Sequence, residues 1–165
     1  MAEGVSAVKA LTLKQPWASL FVAGSKRIET RSWGTKHRGP VAVHASAKIS
    51  REDALLCLQQ SFATALAALG FNTPADLPVG AILGTVEIVN CLLMFNRMIE
   101  VREECVIRLG SDPRLTETER AFGHYEHGRF AWITSPGRLI LNKPIPARGM
   151  LGLWELPGEI AASLP

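Results

Sequence analysis

The most informative stretch of this sequence is Leu13-Lys-Gln-Pro-Trp-Ala-Ser-Leu-Phe-Val-Ala-Gly-Ser-Lys-Arg-Ile-Glu-Thr-Arg-Ser-Trp33. Pro16 suits the first turn of a helix, where its missing N–H is not needed. Trp17 and Phe21 follow at helical spacing and start an apolar stripe. Gly24 stands where a left-handed residue would end that helix. The stretch therefore predicts a short apolar helix followed by a second element.

The second element is a strand over residues 26–33, rich in Lys, Glu, Arg and Trp. Alternate side chains of a strand lie on the same face, so Glu29, Arg31 and Trp33 are predicted to point the same way. A strand needs only one buried face. Long polar side chains beside a tryptophan on one face therefore indicate contact with a ligand.

The spacing Gly24-x-Lys26-x-x-Glu29-x-Arg31 resembles the signature of ASCH domains (activating signal cointegrator homology), which are relatives of the PUA nucleic-acid-binding barrel. Gln15-Pro16-Trp17-Ala18-Ser19 and His37-Arg38-Gly39 are similar to the version found in the eukaryotic transcription coactivator that names the family. The similarity covers most of residues 10–156. It implies a PUA-like β-barrel with a cleft beside the signature strand.

The pattern along the chain predicts an α+β fold, a small and mostly antiparallel β-barrel of about six strands with helices in the connections. The strands do not alternate strictly with helices, which disfavours a doubly wound parallel sheet. We expect a flexible leader over 1–9 and a single domain over 10–165. Apolar residues at helical spacing across 97–109 predict a helical insertion within 93–122.

Two further elements have clear patterns. Ser50, with Asp53 three residues later, is a suitable N-cap for an amphipathic helix over 52–69 that stops at Gly70. Residues 79–94 form a long β-type run with interspersed glycines, which often mark a bulge or a close backbone approach.

The composition is that of an ordinary globular protein: 165 residues, 47% hydrophobic and 20% charged. No apolar run reaches the roughly 18 residues needed to cross a bilayer, so we expect no membrane association. Cys57, Cys91 and Cys105 are far apart and form no CxxC pair, which favours reduced thiols in a cytoplasmic protein over disulfides or zinc. We predict no metal site and no cofactor.

The net charge of +3 conceals an uneven distribution. Residues 1–51 carry nine Lys or Arg and two Asp or Glu, whereas residues 52–126 carry five and eleven. The basic part coincides with the Trp-rich motif. A localised basic surface is typical of a protein that binds a phosphate-bearing partner, so we expect RNA, another single-stranded nucleic acid or a nucleoside-like small molecule.

The candidate ligand-binding residues combine cations for phosphates with aromatic rings for unpaired bases. They are Gln15, Trp17, Lys26, Glu29, Arg31, Trp33, Lys36, His37, Arg38, His44 and Arg129. The helical spacing favours a core position for Trp17, and Trp33 is open between the two roles. Arg129 either points into the cleft or pairs with a nearby glutamate.

Catalysis is the alternative. The resemblance implies it, because some small bacterial ASCH proteins are amidohydrolases of N4-acetylcytidine that use a Lys, a Thr and a Glu. Lys26 matches the Lys, Glu29 stands at the Thr position, and Glu119 matches the Glu only loosely. If the protein is an enzyme, Lys26 and Glu29 are the candidate catalytic pair, and a ribonuclease using histidine is a variant of this hypothesis. A protein-interaction module is a third class, and the sequence does not predict the oligomeric state.

Overall fold

The fold is that of a computed structural model of the chain, which describes residues 7–95 and 106–165. The described residues form seven β-strands and five α-helices. The strands are β1 (Lys9–Leu13), β2 (Ile28–Arg31), β3 (Gly39–Ala45), β4 (Ala81–Phe95), β5 (Val106–Arg108), β6 (Phe130–Pro146) and β7 (Leu153–Glu155). The helices are α1 (Trp17–Ala23), α2 (Arg51–Leu56), α3 (Gln60–Ala68), α4 (Glu117–Phe122) and α5 (Gly158–Ala161).

One sheet contains all seven strands, in the order β2-β6-β4-β3-β1-β7, with β5 paired to β4. Four of the six strand pairs are antiparallel; β1 with β3 and β4 with β5 are parallel. A parallel pair needs a long crossover. The crossover from β1 to β3 contains α1 and β2, the elements of the stretch from Leu13 to Trp33. The predicted mostly antiparallel α+β architecture is confirmed.

The first helix forms as its sequence predicts. Gly24 has φ 84° and its N–H bonds to the Phe21 carbonyl, which is the left-handed end that the pattern indicated. Helix α1 buries Leu20 and Phe21 completely. Phe21 joins the main core on the sheet, whereas Leu20 packs among the residues of α3 and α4. The helix thus fixes the position of the strand that follows it.

Bulges curve the two long strands. The pairing of β4 with β6 shifts register at three places, one of them between Ile82 and Gly84. A Cβ at Gly84 would lie 2.0 Å from the Leu139 carbonyl oxygen, so only glycine permits this approach. Bulges bend strands and increase twist. The prediction that a glycine within this run marks a close backbone approach is confirmed.

The helix predicted over 52–69 is two helices instead. Ser50 caps α2 through the Asp53 N–H (3.0 Å), as expected, but the helix ends at Leu56 and α3 begins at Gln60. The break removes the continuous stripe, so Leu58 is 66% exposed. The stripe residues of α3 remain in a core cluster with α1 and α4.

The described residues of the predicted insertion within 93–122 are only partly helical. Residues 96–105, which include most of the helical pattern, lie outside the described residues. At its described end the helix prediction is wrong, because Val106–Arg108 is strand β5. Helix α4, capped by Thr116 (3.1 Å to the Glu119 N–H), is the helical part of this segment that the structure describes.

The leader predicted over 1–9 overlaps the start of the first strand. Residues 1–6 lie outside the described part of the chain, but Lys9 already begins β1 and the Val8 carbonyl accepts a hydrogen bond from the Leu156 N–H. No helix among the described residues has the length and apolar character needed to span a membrane.

Candidate functional site

A cleft of about 720 Å³ lies between β2 and the residues that follow β1. The start of α1, the end of α4 and the loop after α4 complete its walls. Six predicted ligand-binding residues line it: Trp17, Lys26, Glu29, Arg31, Trp33 and Arg129. The structure therefore brings together the residues of the signature strand and Arg129, which is about a hundred positions later in the chain.

A chain of ion pairs runs along the floor of the cleft. Lys26 Nζ lies 3.0 Å from Glu29 Oε2, and Arg31 Nε lies 3.1 Å from Glu29 Oε1. The Lys26 side chain is 1% exposed and that of Glu29 is 11% exposed. Both carboxylate oxygens of Glu29 are thus held by cations, and the pair with Lys26 is removed from water.

The outer edge of β2 is covered by two cations. Arg27 O, on the side facing β6, accepts from the Thr134 N–H, so strand alternation turns the carbonyls of residues 28 and 30 to the other edge. Lys26 Nζ donates to the Ile28 carbonyl, and Arg129 Nη2 donates to the Thr30 carbonyl at 3.2 Å. Lys26 also lies 5.5 Å from the centre of the Phe21 ring.

Arg31 connects the two sides of the cleft. Its Nη2 donates to the Thr12 carbonyl of β1 at 3.1 Å, while its Nε lies at ion-pair distance from Glu29 without a hydrogen bond among the described residues. Strand β2 lies at one end of the sheet order and β1 lies next to the other end. Among the described strands β2 pairs only with β6, so a side chain rather than a strand pair spans this gap.

Two tryptophans border the cleft. Trp33 is 36% exposed and meets the buried Trp132 in a T-shaped contact with ring centres 4.7 Å apart. Trp17 is half-buried, donates from Nε1 to the Phe122 carbonyl at 2.8 Å, and contacts Phe62 edge-on. Trp17 therefore packs on a core cluster and also lines the cleft.

The lining carries an excess of positive charge. Lys14, Lys26, Arg31 and Arg129 are its cations, and Glu29 is its one carboxylate among the described residues. The Lys14 side chain is 69% exposed, and its one ion pair with a described residue is the 3.9 Å contact between Nζ and Asp53 Oδ2. Nε of Arg129 is buried and, within the described part of the chain, has no hydrogen-bond partner.

Helix α4 is attached to the signature strand by Glu119. One carboxylate oxygen accepts from the Arg27 backbone N–H, and the other accepts from the Tyr125 hydroxyl at 3.2 Å. Burial, followed by the charge of Glu119, raises the pKa of the Tyr125 phenol. Glu119 is 6% exposed and does not line the cleft, so the structure gives it a positioning role instead of the catalytic one that was loosely predicted.

Five predicted ligand-binding residues lie outside the cleft lining: Gln15, Lys36, His37, Arg38 and His44. Gln15 is fully buried and bonds to Ser19 and to the Pro78 carbonyl. Arg38 bonds to carbonyls of its own loop and to Asn90. His37 bonds to the Pro40 carbonyl. The loop that contains Lys36, His37 and Arg38 is held by these local bonds, and none of the three residues lines the cleft.

His44 is a buried residue of β3, where it lies opposite Thr12 of β1. Its Nε2 contacts the Ala147 carbonyl at 2.9 Å, which requires Nε2 to carry the proton. Within the described residues the buried Nδ1 has no hydrogen-bond partner. Burial lowers the pKa of His44 below its ordinary 6.5, and the hydrogen bond to the Ala147 carbonyl partly offsets this shift.

Several lining residues were not found from the sequence. Thr12 belongs to β1, Lys14 follows it, and Thr30 lies between the predicted residues of β2. The ribonuclease variant of the hypothesis includes His124, which follows α4 and also lines the cleft. Thr30 Oγ1 accepts from the His124 N–H at 3.2 Å, which fixes the loop after α4 against β2. Lys14 could have been predicted to line the cleft, because it stands beside the motif in a basic segment. No pattern in the sequence indicates where α4 docks. Among the described residues no group of three or more His, Cys, Asp or Glu side chains is placed to hold a metal.

Comparison with known proteins identifies relatives of two kinds. A family model described as the ASCH domain matches residues 11–153. The chain is similar to activating signal cointegrator 1 of Homo sapiens (40% identical) and of Mus musculus (39%) over 90 residues, which are 54% of this chain and 15% of each relative. The matched region is thus a small part of those proteins.

A solved structure supports the fold. The crystal structure of ASCH from Zymomonas mobilis resembles this chain with a TM-score of 0.50, covering 94% of this chain and 92% of that one. The sequences are 14% identical, so the likeness concerns the fold alone.

The buried ion pair gives a first prediction. Glu29→Ala leaves Lys26 buried beside no carboxylate, and we expect the free energy of unfolding to fall by about 3–5 kcal/mol. The double change Lys26→Met with Glu29→Leu removes both charges, so it should recover most of that loss. Guanidinium unfolding followed by circular dichroism measures both. A double variant as unstable as Glu29→Ala would show that the unpaired charge is not the cause.

His44 gives a second prediction. Its pKa is lower in the folded than in the unfolded state, so below about pH 6.5 the unfolded state binds more protons and stability falls. His44→Gln keeps a donor for the Ala147 carbonyl but does not titrate. Melting temperatures at pH 7.5 and 5.5 should therefore differ more for the wild type than for His44→Gln. Equal differences in the two proteins would contradict this account of His44.

Proposed function

The chain belongs to the ASCH domain family, and from this premise we propose that it binds single-stranded RNA in the cleft beside β2. One observation carries the proposal: four cations and one fully paired carboxylate line a cleft with a tryptophan at its border. A binding cavity typically measures about 300–1,000 Å³, so the cleft is large enough for a nucleotide.

The cations have donors left for phosphates or base carbonyls. Lys26 uses two of its three N–H donors on Ile28 and Glu29. Arg129 uses Nη2 on the Thr30 carbonyl, and Lys14 extends from the border of the cleft into solvent. Phosphate contacts of this kind position a nucleic acid without reading its sequence. The proposal thus predicts affinity for RNA with little dependence on base identity from these residues.

Trp33 is the proposed stacking residue. Its carbonyl accepts from Trp132 Nε1 at 3.2 Å, and its ring rests on Trp132, so the side chain is held in place while about a third of it remains exposed. Bases of single-stranded RNA are free to stack on such a ring. Glu29 orients Lys26 and Arg31 in this scheme.

Hydrolysis of a modified nucleoside or of RNA is the second candidate. The favouring observation is that Lys26 and Glu29 form a pair in the cleft, with the threonine residues Thr12 and Thr30 also in its lining. Against it, both oxygens of Glu29 are engaged by cations, and the Thr30 hydroxyl accepts from the His124 N–H. The cytoplasmic location expected from the cysteines stays a prediction.

Incubation with N4-acetylcytidine separates the two candidates. An amidohydrolase would add water, break the amide C–N bond and release cytidine and acetate, and Glu29→Gln would abolish the release while keeping the shape of the side chain. For a binding protein we expect no cytidine and no shortened RNA, measured by chromatography of both reactants. Release of cytidine by the wild type but not by Glu29→Gln would establish the enzyme instead.

A binding measurement with RNA tests the proposed function directly. Anisotropy of a fluorescein-labelled 12-nucleotide RNA should show an affinity that falls steeply with salt. Lys14→Ala should reduce the slope of log K against log salt by about 0.7, the share of one phosphate contact with a single strand. Trp33→Ala should weaken binding about 5- to 150-fold, equivalent to about 1–3 kcal/mol for one stacked base.

The matched control is Lys9→Ala. Lys9 lies at the far end of β1 from the cleft and pairs with Glu155 at 2.9 Å, so the variant loses the same charge elsewhere. It should bind RNA like the wild type. Absence of binding by the wild type at low salt, or equal effects of Lys9→Ala and Lys14→Ala, would refute the cleft as the RNA site.

A further inference from the structure

We propose that the end of the sheet beside the cleft is a second binding surface, which holds the RNA strand where it continues out of the cleft. The inference rests on the proposed function and extends it to neighbouring nucleotides. We call this surface the tip; it consists of the apolar residues Val79, Met150 and Leu151 and the cations Lys48 and Arg148.

Hydrogen bonds hold the three loops of the tip together. The Gly80 N–H bonds to the Ser46 carbonyl at 3.1 Å, and the Ala147 N–H bonds to the Gly80 carbonyl at 3.0 Å. His44 Nε2 donates to the Ala147 carbonyl at 2.9 Å. The loop also packs closely, since a Cβ at Gly149 would lie 2.6 Å from His44 Nδ1. The tip is therefore an anchored surface.

The anchored loops present apolar side chains to water. Leu151 is 98% exposed, Met150 is 60% exposed and Val79 is 42% exposed. Because these side chains stay largely exposed, they add little buried apolar area to the fold. Grouped apolar side chains in solvent mark a surface that contacts something else.

The charge of the tip is of one sign. Lys48 and Arg148 are exposed, and the segments 46–50, 77–81 and 142–154 contain no Asp or Glu. Within the described residues neither cation lies at ion-pair distance from a carboxylate. A surface that joins apolar side chains to free cations fits a partner with both apolar faces and regular negative charges.

The tip is continuous with the cleft. The Ser46 N–H bonds to the carbonyl of Leu13, which lines the cleft, at 2.9 Å. The buried Gln15 side chain, next to Lys14, donates to the Pro78 carbonyl at 2.7 Å. These bonds place two loops of the tip directly beside the cleft wall. A strand of RNA that leaves the cleft past Lys14 would reach the tip.

Unpaired nucleotides match the tip in chemistry. Their bases would cover Met150 and Leu151, and their phosphates would contact Lys48 and Arg148. An anionic membrane surface also pairs apolar groups with negative charge, but continuity with the cleft favours RNA.

The test compares RNAs of two lengths on the full chain. Fluorescein-labelled RNAs of 3 and 12 nucleotides are titrated by anisotropy against the wild type, Met150→Ser with Leu151→Ser, and Lys48→Ala with Arg148→Ala. We expect each double variant to weaken 12-nucleotide binding about fivefold or more and to leave 3-nucleotide binding unchanged. The charge variant should also lower the salt slope for the longer RNA by about 1.4, for two phosphates. Ile140→Ser, which changes an apolar residue 54% exposed on β6, and Lys9→Ala are the controls.

The outcomes are distinct. If both RNAs bind the wild type and the tip variants bind the longer one unchanged, the tip proposal is wrong and the cleft proposal stands. If the wild type binds neither RNA, the proposed function fails and the tip proposal fails with it. If the tip variants lose binding to phosphatidylserine vesicles but not to RNA, the surface is a membrane contact and the proposal is overturned. Thermal melting checks that each variant folds.

Discussion

The buried ion pair between Lys26 and Glu29 is the interaction on which the site depends. An ammonium group that is 1% exposed requires a nearby carboxylate, and Glu29 in turn orients Arg31 towards the Thr12 carbonyl. The same three side chains thus fix the shape of β2, connect it to β1 and set the charge of the cleft. The residues of the signature spacing therefore stabilise the fold in the first place. Only the hydrogen-bond donors that these three side chains do not already use remain for a ligand.

The cleft exists because the sheet leaves a gap. Bulges in β4 and β6 curve the sheet so that β2 and β1 approach each other, and the side chain of Arg31 spans the space between them. Helix α4 closes the remaining side through Glu119 and the loop after it. Residues about a hundred positions apart in the chain therefore meet at one place, which accounts for the mixture of cations, hydroxyl groups and aromatic rings.

The local patterns predicted much of this. The Gly24 helix end, the Ser50 cap and the strand with Glu29 and Arg31 depend on neighbours in sequence, and all are present. Two other features depend on contacts across the fold. They are the break between α2 and α3 and the position of Arg38, whose side chain bonds to Asn90. No spacing in the sequence contains that information. Similarly, Glu119 matched a catalytic position in type, but its location behind β2 is set by the docking of α4.

The covered edge of β2 has a consequence for association. An unpaired strand edge is a template on which another chain can add a strand. Here the outward carbonyls of Ile28 and Thr30 are already bound by Lys26 and Arg129, so an incoming peptide backbone would first have to displace two cations. The sheet is thereby protected against edge-to-edge aggregation at the very place where it is left open. Extension of the sheet by a foreign strand is therefore disfavoured at this edge.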